Sequence, residues 1–375
     1  MKKFIRFICF FLVVVIMFGG LNFFFSTNSD RDGVHIRGYF KEPQNSIDVL
    51  MVGASELYSG FNSPLAWGKY HFTSYAISIS GMPGSLYQII TEKALETQNP
   101  KLVVFEINGF LFNDRYYEHR KPIHAWFDNV GINDSGKEFI ENNIPAKKRL
   151  EYYLPFYKYH SNWRHPGICT KNALNRLCLE KEGISYSKAF ANSNLTRKTT
   201  ELKRKDAFFT EKSKEYMTQL LMFCKDRKLK NVLFFRAPHC VKNENPQAIS
   251  EIESLIKSYG YDFVDYENTY DEIGLDVKAD FYNSEHLNIY GMEKFTNLFG
   301  KYIVDKYDIK TNYSEETVEL WNRCVTAMDK TIEECKKDKD HSTYYELTTY
   351  ENAKGKKHSR FSRIKCETKE KHETK

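Results

Sequence analysis

A chain of 375 residues, 41% hydrophobic and 28% charged, can bury a substantial core without disulfide or metal staples and is read as one large domain with appendages. Its net charge of +6 is modest for that length, and a good part of the excess sits in the lysine-rich C-terminus, which argues against a nucleic-acid-binding protein. Aromatic residues reach 15%, with 25 Tyr and 28 Phe; most belong to an ordinary core, although the same content suits a carbohydrate-facing cleft.

At the N-terminus, Lys2, Lys3 and Arg6 precede an apolar stretch, 7–25, broken only by Gly19, Gly20 and Asn22. That is nearly the roughly 20 residues needed to span a bilayer. Positive residues stay in the cytoplasm, so the rest of the chain is expected outside. No A-x-A-like cleavage site follows, and no cysteine is placed for a lipid anchor, which favours an uncleaved signal anchor over 1–25 against a cleaved signal peptide. Residues 26–45 read as a polar linker.

The main domain is expected over 46–310. Ile47, Val49, Leu50, Met51 and Val52 form a short apolar run that ends in Gly53-Ala54-Ser55-Glu56, the pattern of a buried parallel strand closing on a tight turn. Ser55 is either a nucleophile at the mouth of the sheet or the cap of the helix that follows. The G-x-S-x-G elbow is absent, because Leu57 stands at the second glycine. Further strands are read at 71–81, ending at Ser80-Gly81, at 101–108, ending at Asn108, at 230–238 and at 261–265, alternating with helices. This predicts a flavodoxin-like three-layer α/β/α sandwich around a five-stranded parallel sheet.

Parallel strands present their carboxyl ends on one side, so Ser55, Gly81, Asn108 and the loop residue His286 can converge although far apart in sequence. Each suits a defined role. Ser55 Oγ attacks a carbonyl, His286 takes its proton, and the Gly81 N–H with the Asn108 amide holds the oxyanion. Singly, the last three are also a turn glycine, a strand-end cap and a surface histidine.

With those residues in this order, the chain resembles the SGNH/GDSL hydrolase-like superfamily. The most specific stretch, Asp280-Phe-Tyr-Asn-Ser-Glu-His286-Leu-Asn-Ile-Tyr-Gly291, is similar to the closing D-x-x-H-L-N block of extracytoplasmic members. Those include teichoic-acid D-alanyl transfer proteins and O-acetyltransferases of exported polysaccharides, many with one N-terminal anchor. The resemblance spans about 45–310 and implies a cell-surface glycan or teichoic-acid-like polymer as substrate and a membrane-embedded acyl donor protein as partner. Three departures stand out. Glu106 replaces the glycine usual two positions before the asparagine, Gly84 competes with Gly81 for the second block, and Asn283 occupies the place of the acid three residues before the histidine. An asparagine accepts the imidazole N–H but brings no charge and can select the wrong tautomer. Asp280 is the alternative orienting acid.

The interval 109–206 exceeds an ordinary crossover and is read as an insertion. Its Tyr116, Tyr117, Trp126, Tyr152, Tyr153, Tyr157 and Trp163 either line a glycan groove or pack the insertion; packing is the commoner role. Its histidines lack the spacing of a metal motif. A helix is expected over 311–339, with Asn312 and Glu315 as a capping pair, and a charged, disordered tail over 340–375. Cys169 and Cys178 can bridge a short loop, whereas Cys324 and Cys335 lie about 16 Å apart along a helix, too far for a disulfide. No motif asks for a metal, nucleotide or redox cofactor.

The sequence therefore points to a single-pass membrane protein with an extracytoplasmic serine acyltransferase or esterase domain acting on acetyl or D-alanyl groups of surface glycopolymers. The rival is an SGNH-like surface protein, weakened or inactive, that binds or assembles glycans with the same cleft.

Overall fold

A computed structural model describes residues 2–25, 31–118, 120–167, 169–170, 173–174, 184–243, 245–309, 312–337, 343–351 and 357–365. Two compact units are formed, one from Met1–Val34 with His124–Glu182 and one from His35–Ile123 with Gly183–Lys375.

The larger unit is built on five strands, β1 (Val49–Gly53), β2 (Ser74–Ser78), β3 (Leu102–Glu106), β4 (Val232–Arg236) and β5 (Asp262–Asp265). All pair in parallel in the order β2-β1-β3-β4-β5, the flavodoxin-like order expected of this class. Strand residues alternate between the two faces of the sheet. Phe235 packs on Phe295 and Phe299 of the helix Ile289–Lys306, while its neighbour Phe234 stacks on Phe105 from the opposite face. Met51, Leu57, Phe61 and Phe299 share one apolar cluster, which ties the Ser55–Gly60 helix to the sheet directly behind the candidate nucleophile. Because every residue of β1 is buried, a polar group at this strand's end is held by backbone fixed on both sides.

The interval 109–206, read above as an insertion, is divided between the two units. Its final part, from Gly183, belongs to the sheet unit, where the Asn192 amide donates to Ser59 O at 2.6 Å and the Arg197 N–H to Lys278 O at 3.1 Å. The expected linker 26–45 contains a helix, Arg31–Tyr39, with Ile36 and Tyr39 fully buried. Composition marks the segment as polar, but two apolar residues three apart suffice to seat one short face. The helix expected over 311–339 is present as Glu315–Lys337. The tail departs from expectation, since Thr343–Glu351 and Lys357–Lys365 pair antiparallel. Averaged over the tail the charge dominates, yet Thr343-Tyr-Tyr-Glu-Leu-Thr-Thr-Tyr350 is locally rich in strand-forming residues. Cys178, the expected partner of Cys169, lies outside the described residues.

A buried ion pair crosses the sheet unit. Lys188 Nζ lies 2.7 Å from both Glu42 oxygens and 4.8 Å from the centre of the Trp321 ring, with both charged side chains sealed from solvent. Removing one partner strands the other charge, a loss of about 3–5 kcal/mol. Lys188→Met is therefore expected to lower the unfolding midpoint sharply, and adding Glu42→Leu to recover part of the loss, as read by thermal unfolding of the full-length protein.

In the smaller unit, Lys2–Phe25 is a single 24-residue helix, long and apolar enough to cross a membrane. Near its C-terminal end, Asn22 Oδ1 accepts the Phe156 N–H at 2.7 Å, and the Asn162 amide donates to Phe25 O at 3.2 Å. The Phe156 ring lies 6.0 Å from that of Phe18 and 5.5 Å from that of Phe25. Trp126 and Tyr152 are buried within this unit, as the packing role expects, whereas Trp163 is 63% exposed.

Candidate active site

Ser55 opens a short helix immediately after β1, and its hydroxyl donates to His286 Nε2 at 2.8 Å. The cap alternative is not what this serine does: Ala54 is the N-cap, without a side-chain cap bond, and Ser55 is already the first helical residue. His286 comes from the loop before the helix Ile289–Lys306, pinned by a bridge between Phe281 and Leu287 and by the Tyr282 N–H donating to His286 O at 3.1 Å. The Tyr282 ring stacks on the imidazole, 5.2 Å between centres.

The imidazole's other nitrogen, Nδ1, lies 3.0 Å from Asn283 Oδ1. That same oxygen accepts the backbone N–H groups of Glu285 at 2.8 Å and His286 at 2.9 Å. Two backbone donors can only face an oxygen, so the amide orientation is fixed and Nδ1 must carry the imidazole proton. Nε2 is then bare and able to take the serine proton. Asn283 thus fixes the tautomer with the proton on Nδ1, although it brings no charge.

Asp280 is placed elsewhere. Its Oδ2 pairs with Lys294 Nζ at 2.7 Å and accepts the Asp276 N–H at 2.6 Å, while its carbonyl accepts the Asn288 N–H at 2.9 Å. The residue fastens the histidine loop to the following helix, and its carboxylate is engaged on that side. Of the two residues considered for orienting His286, Asn283 lies beside its imidazole and Asp280 does not.

Gly81 and Asn108 follow the neighbouring strands. The β1–β2 register sets Gly53 opposite Ser78, and the Ile79 N–H donates to Gly53 O at 3.3 Å, so the turn holding Gly81 leaves the sheet beside the Ser55 turn. Gly81 has φ +62°, and a Cβ there would meet the Tyr116 hydroxyl, so this turn needs glycine. Gly84 is glycine for another reason: a Cβ would strike the Phe110 ring. Asn108 begins a single turn after β3, and its side-chain amide donates to Glu56 Oε1.

Glu56 and Glu106 make this floor unusual, since both are buried carboxyls. Burial pushes the Glu56 carboxyl up, but His239, His286 and Lys205 outweigh that and hold it at about 2. Glu106 is driven to about 8 by burial and by the Glu56 charge; its Oε1 accepts the Asn108 N–H at 2.8 Å and its Oε2 the Ala54 N–H at 3.4 Å. The two carboxyls are thus pushed in opposite directions, Glu56 toward its ionised form and Glu106 toward its neutral one. Gly53 is what lets Glu106 approach, because a Cβ there would come within 2.7 Å of Glu106 Cβ.

Behind Glu56 stands His239. Its Nε2 is 3.7 Å from Glu56 Oε1, an ion-pair distance beyond hydrogen-bond range, and its Nδ1 is 3.2 Å from Glu267 Oε2. Glu267 in turn pairs with Arg236. Burial lowers the His239 pKa, yet the two carboxylates more than compensate and raise it to about 8. His286 itself is shifted down, chiefly by desolvation, with Glu56 and Glu285 opposing. An imidazole on the low side of its usual range is mostly unprotonated at neutral pH, as a general base must be.

Glu56 and His239 were not singled out from the sequence. A glutamate just after a serine at a helix start reads as a helix-dipole acid, and His239 as a loop residue. The available signal was Glu106, a charged residue closing the apolar run Leu102–Phe105, which announces a buried polar partner. Among the described residues, no group of three His, Cys, Asp or Glu side chains is arranged to hold a metal ion.

No protein-family model and no curated protein matches the chain. Among solved structures it is similar to a candidate acylhydrolase of Bacteroides fragilis NCTC 9343, at 11% identity and TM-score 0.36, over 74% of this chain and 96% of that one. A candidate platelet activating factor from Streptococcus pneumonia is similar at 11% identity and TM-score 0.32, over 74% of this chain and 92% of that one. So is a gut microbial diltiazem-metabolizing enzyme, at 12% identity and TM-score 0.27, over 70% of this chain and 47% of that one. At these values the likenesses name no family and no substrate for the chain.

Proposed function

We propose that this protein is a membrane-anchored, extracytoplasmic serine acyltransferase or esterase acting on O-acyl groups of surface glycopolymers. The observation that carries it is the hydrogen bond from Ser55 Oγ to His286 Nε2, with Nδ1 held by Asn283. Ser55 Oγ attacks the acyl carbonyl while its proton passes to His286. The carbonyl π electrons move onto oxygen, where the Gly81 N–H and an Asn108 amide proton receive them. Collapse expels the donor alcohol, protonated by His286, and leaves an acyl-Ser55 ester. A second hydroxyl, deprotonated by the same imidazole, then takes the acyl group. An external sheet unit is supported by the order of charge and apolarity at the N-terminus, where Lys2, Lys3 and Arg6 precede the bulk of the apolar helix.

A bound sugar competes with water because positioning is worth up to about 7–11 kcal/mol. The full-length protein, given a simple activated acetyl ester, is expected to release acetate slowly and to acylate an added glycan acceptor faster than it hydrolyses. Fast hydrolysis with no acylated acceptor in the product analysis would make it an esterase. No turnover and no acyl-enzyme with folded protein would leave the glycan-binding alternative.

A further inference from the structure

The proposed triad lacks a charge: Asn283 orients His286 but cannot stabilise an imidazolium as a carboxylate does. Yet a carboxylate is present on the other side of the nucleophile. Glu56 Oε2 lies 3.3 Å from Ser55 Oγ, which is itself 2.8 Å from His286 Nε2. The remaining Glu56 oxygen receives the Asn108 amide. The residue is 4% exposed, so its field is little screened by water, and it is backed by the buried chain His239–Glu267–Arg236.

We propose that Glu56 is a positioning residue that supplies, from beside Ser55, the negative charge missing from Asn283, and aims the Asn108 amide at the oxyanion. The assignment rests on the Ser55–His286 reading. When the serine proton reaches Nε2, the new positive charge forms close to a fixed anion. One Asn108 N–H is engaged by Glu56, so the second is held in a single direction, and donation to an anion polarises the amide. Glu56 does not take the serine proton itself. It is the more distant acceptor, and a carboxylate held at about 2 is a weak base beside an imidazole. The groups facing it are Ser55 and His286, Asn108 and Glu106, whose carboxyl is pushed up by burial and by the Glu56 charge, His239, and Lys205 with Glu285, which pair at 2.7 Å. His239, raised to about 8 between two carboxylates, keeps Glu56 ionised across the neutral range.

The test is Glu56→Gln, which keeps the shape and an oxygen for Asn108 but removes the charge. Ester turnover is expected to lose about tenfold or more in kcat with little change in KM, and the acid limb of the kcat/KM profile to move to lower pH by about one unit. In an Asn283→Asp background the same substitution is expected to cost less than about threefold, because the charge is then supplied from the usual side. Equal losses in both backgrounds, with an unmoved acid limb, would show that Glu56 is only structural. The His286 titration followed by NMR in Ser55→Ala, with and without Glu56→Gln, reads the field without turnover. A fall in the His286 pKa supports the electrostatic role even where Ser55 proves unreactive, and no fall overturns it. If Glu56→Gln does not fold, Asn283→Asp alone decides: a gain above about a thousandfold would show that no carboxylate was serving His286 beforehand, and a smaller gain supports the proposal.

Discussion

A membrane-impermeant fluorophosphonate is expected to label the full-length protein once, at Ser55, both in detergent and on intact cells. Ser55→Ala is expected to abolish the label and to cut ester turnover by about 10⁴- to 10⁶-fold. Phosphonylation needs an oxygen whose proton has somewhere to go, and Ser55 meets that condition through the 2.8 Å bond to an imidazole nitrogen left bare by the tautomer that Asn283 enforces. Other serines of this region are engaged differently. Ser59 Oγ, one turn along the same helix, donates to Ser55 O at 2.9 Å, and Ser80 Oγ shares a hydrogen bond with the Tyr58 hydroxyl at 3.2 Å. His286→Ala is expected to lose label and turnover together, because serine and base act as a unit. Stoichiometric labelling at another serine would remove Ser55 from the chemistry. Labelling in detergent but not on intact cells would place the sheet unit on the cytoplasmic side.

Asn283→Asp is expected to raise kcat by about 10- to 100-fold rather than lower it. In a related triad, replacing the acid by an amide costs about 10⁴, and part of that loss is the wrong imidazole tautomer. Here the tautomer is already correct, since the Glu285 and His286 N–H groups force Oδ1 toward Nδ1. What the carboxylate adds is charge alone, and Glu56 already provides some. The measurement is single-turnover acylation by an activated ester, which isolates the step that generates the imidazolium. Asp280→Asn, by contrast, is expected to weaken the fold through its Lys294 pair and to leave the tautomer at His286 untouched. A large loss on Asn283→Asp would overturn this reading, because a carboxylate accepts the two backbone N–H groups and the Nδ1 proton at least as well as the amide does.

The route from sequence to site was short wherever period and turn chemistry agreed. The run Val49–Val52 followed by Gly53-Ala54-Ser55 has no other good interpretation than a buried strand ending in a turn, and β2, β3 and β4 repeat the logic. Parallel topology then brings Ser55, Asn108 and His286 to one edge without any tertiary information. Which side chain lies beside the histidine was not legible, because Asp280 and Asn283 differ by three residues and the choice depends on how a loop turns. Its outcome is set by Lys294, fourteen residues downstream in the next helix, which draws the Asp280 carboxylate away. Nor was the buried charge floor legible. Glu56, Glu106, His239 and Glu267 come from four separate segments, and although Glu106 at the end of an apolar run points to burial, only the assembled sheet shows that all four are buried. The pairing of 343–351 with 357–365 was hidden by averaging, since over the whole tail the charged residues outweigh the tyrosines and threonines of 343–350.

The grip on the apolar helix bears on how this protein is handled. Phe156 has its amide capped by Asn22 and its ring set against Phe18 and Phe25, all on the segment that a soluble truncation discards. Cutting near residue 30 would bare a backbone donor and an aromatic face that the intact chain covers with the helix Lys2–Phe25. Kinetics are therefore best taken on the intact chain, in which Lys2–Phe25 stays packed against Phe156 and Asn162.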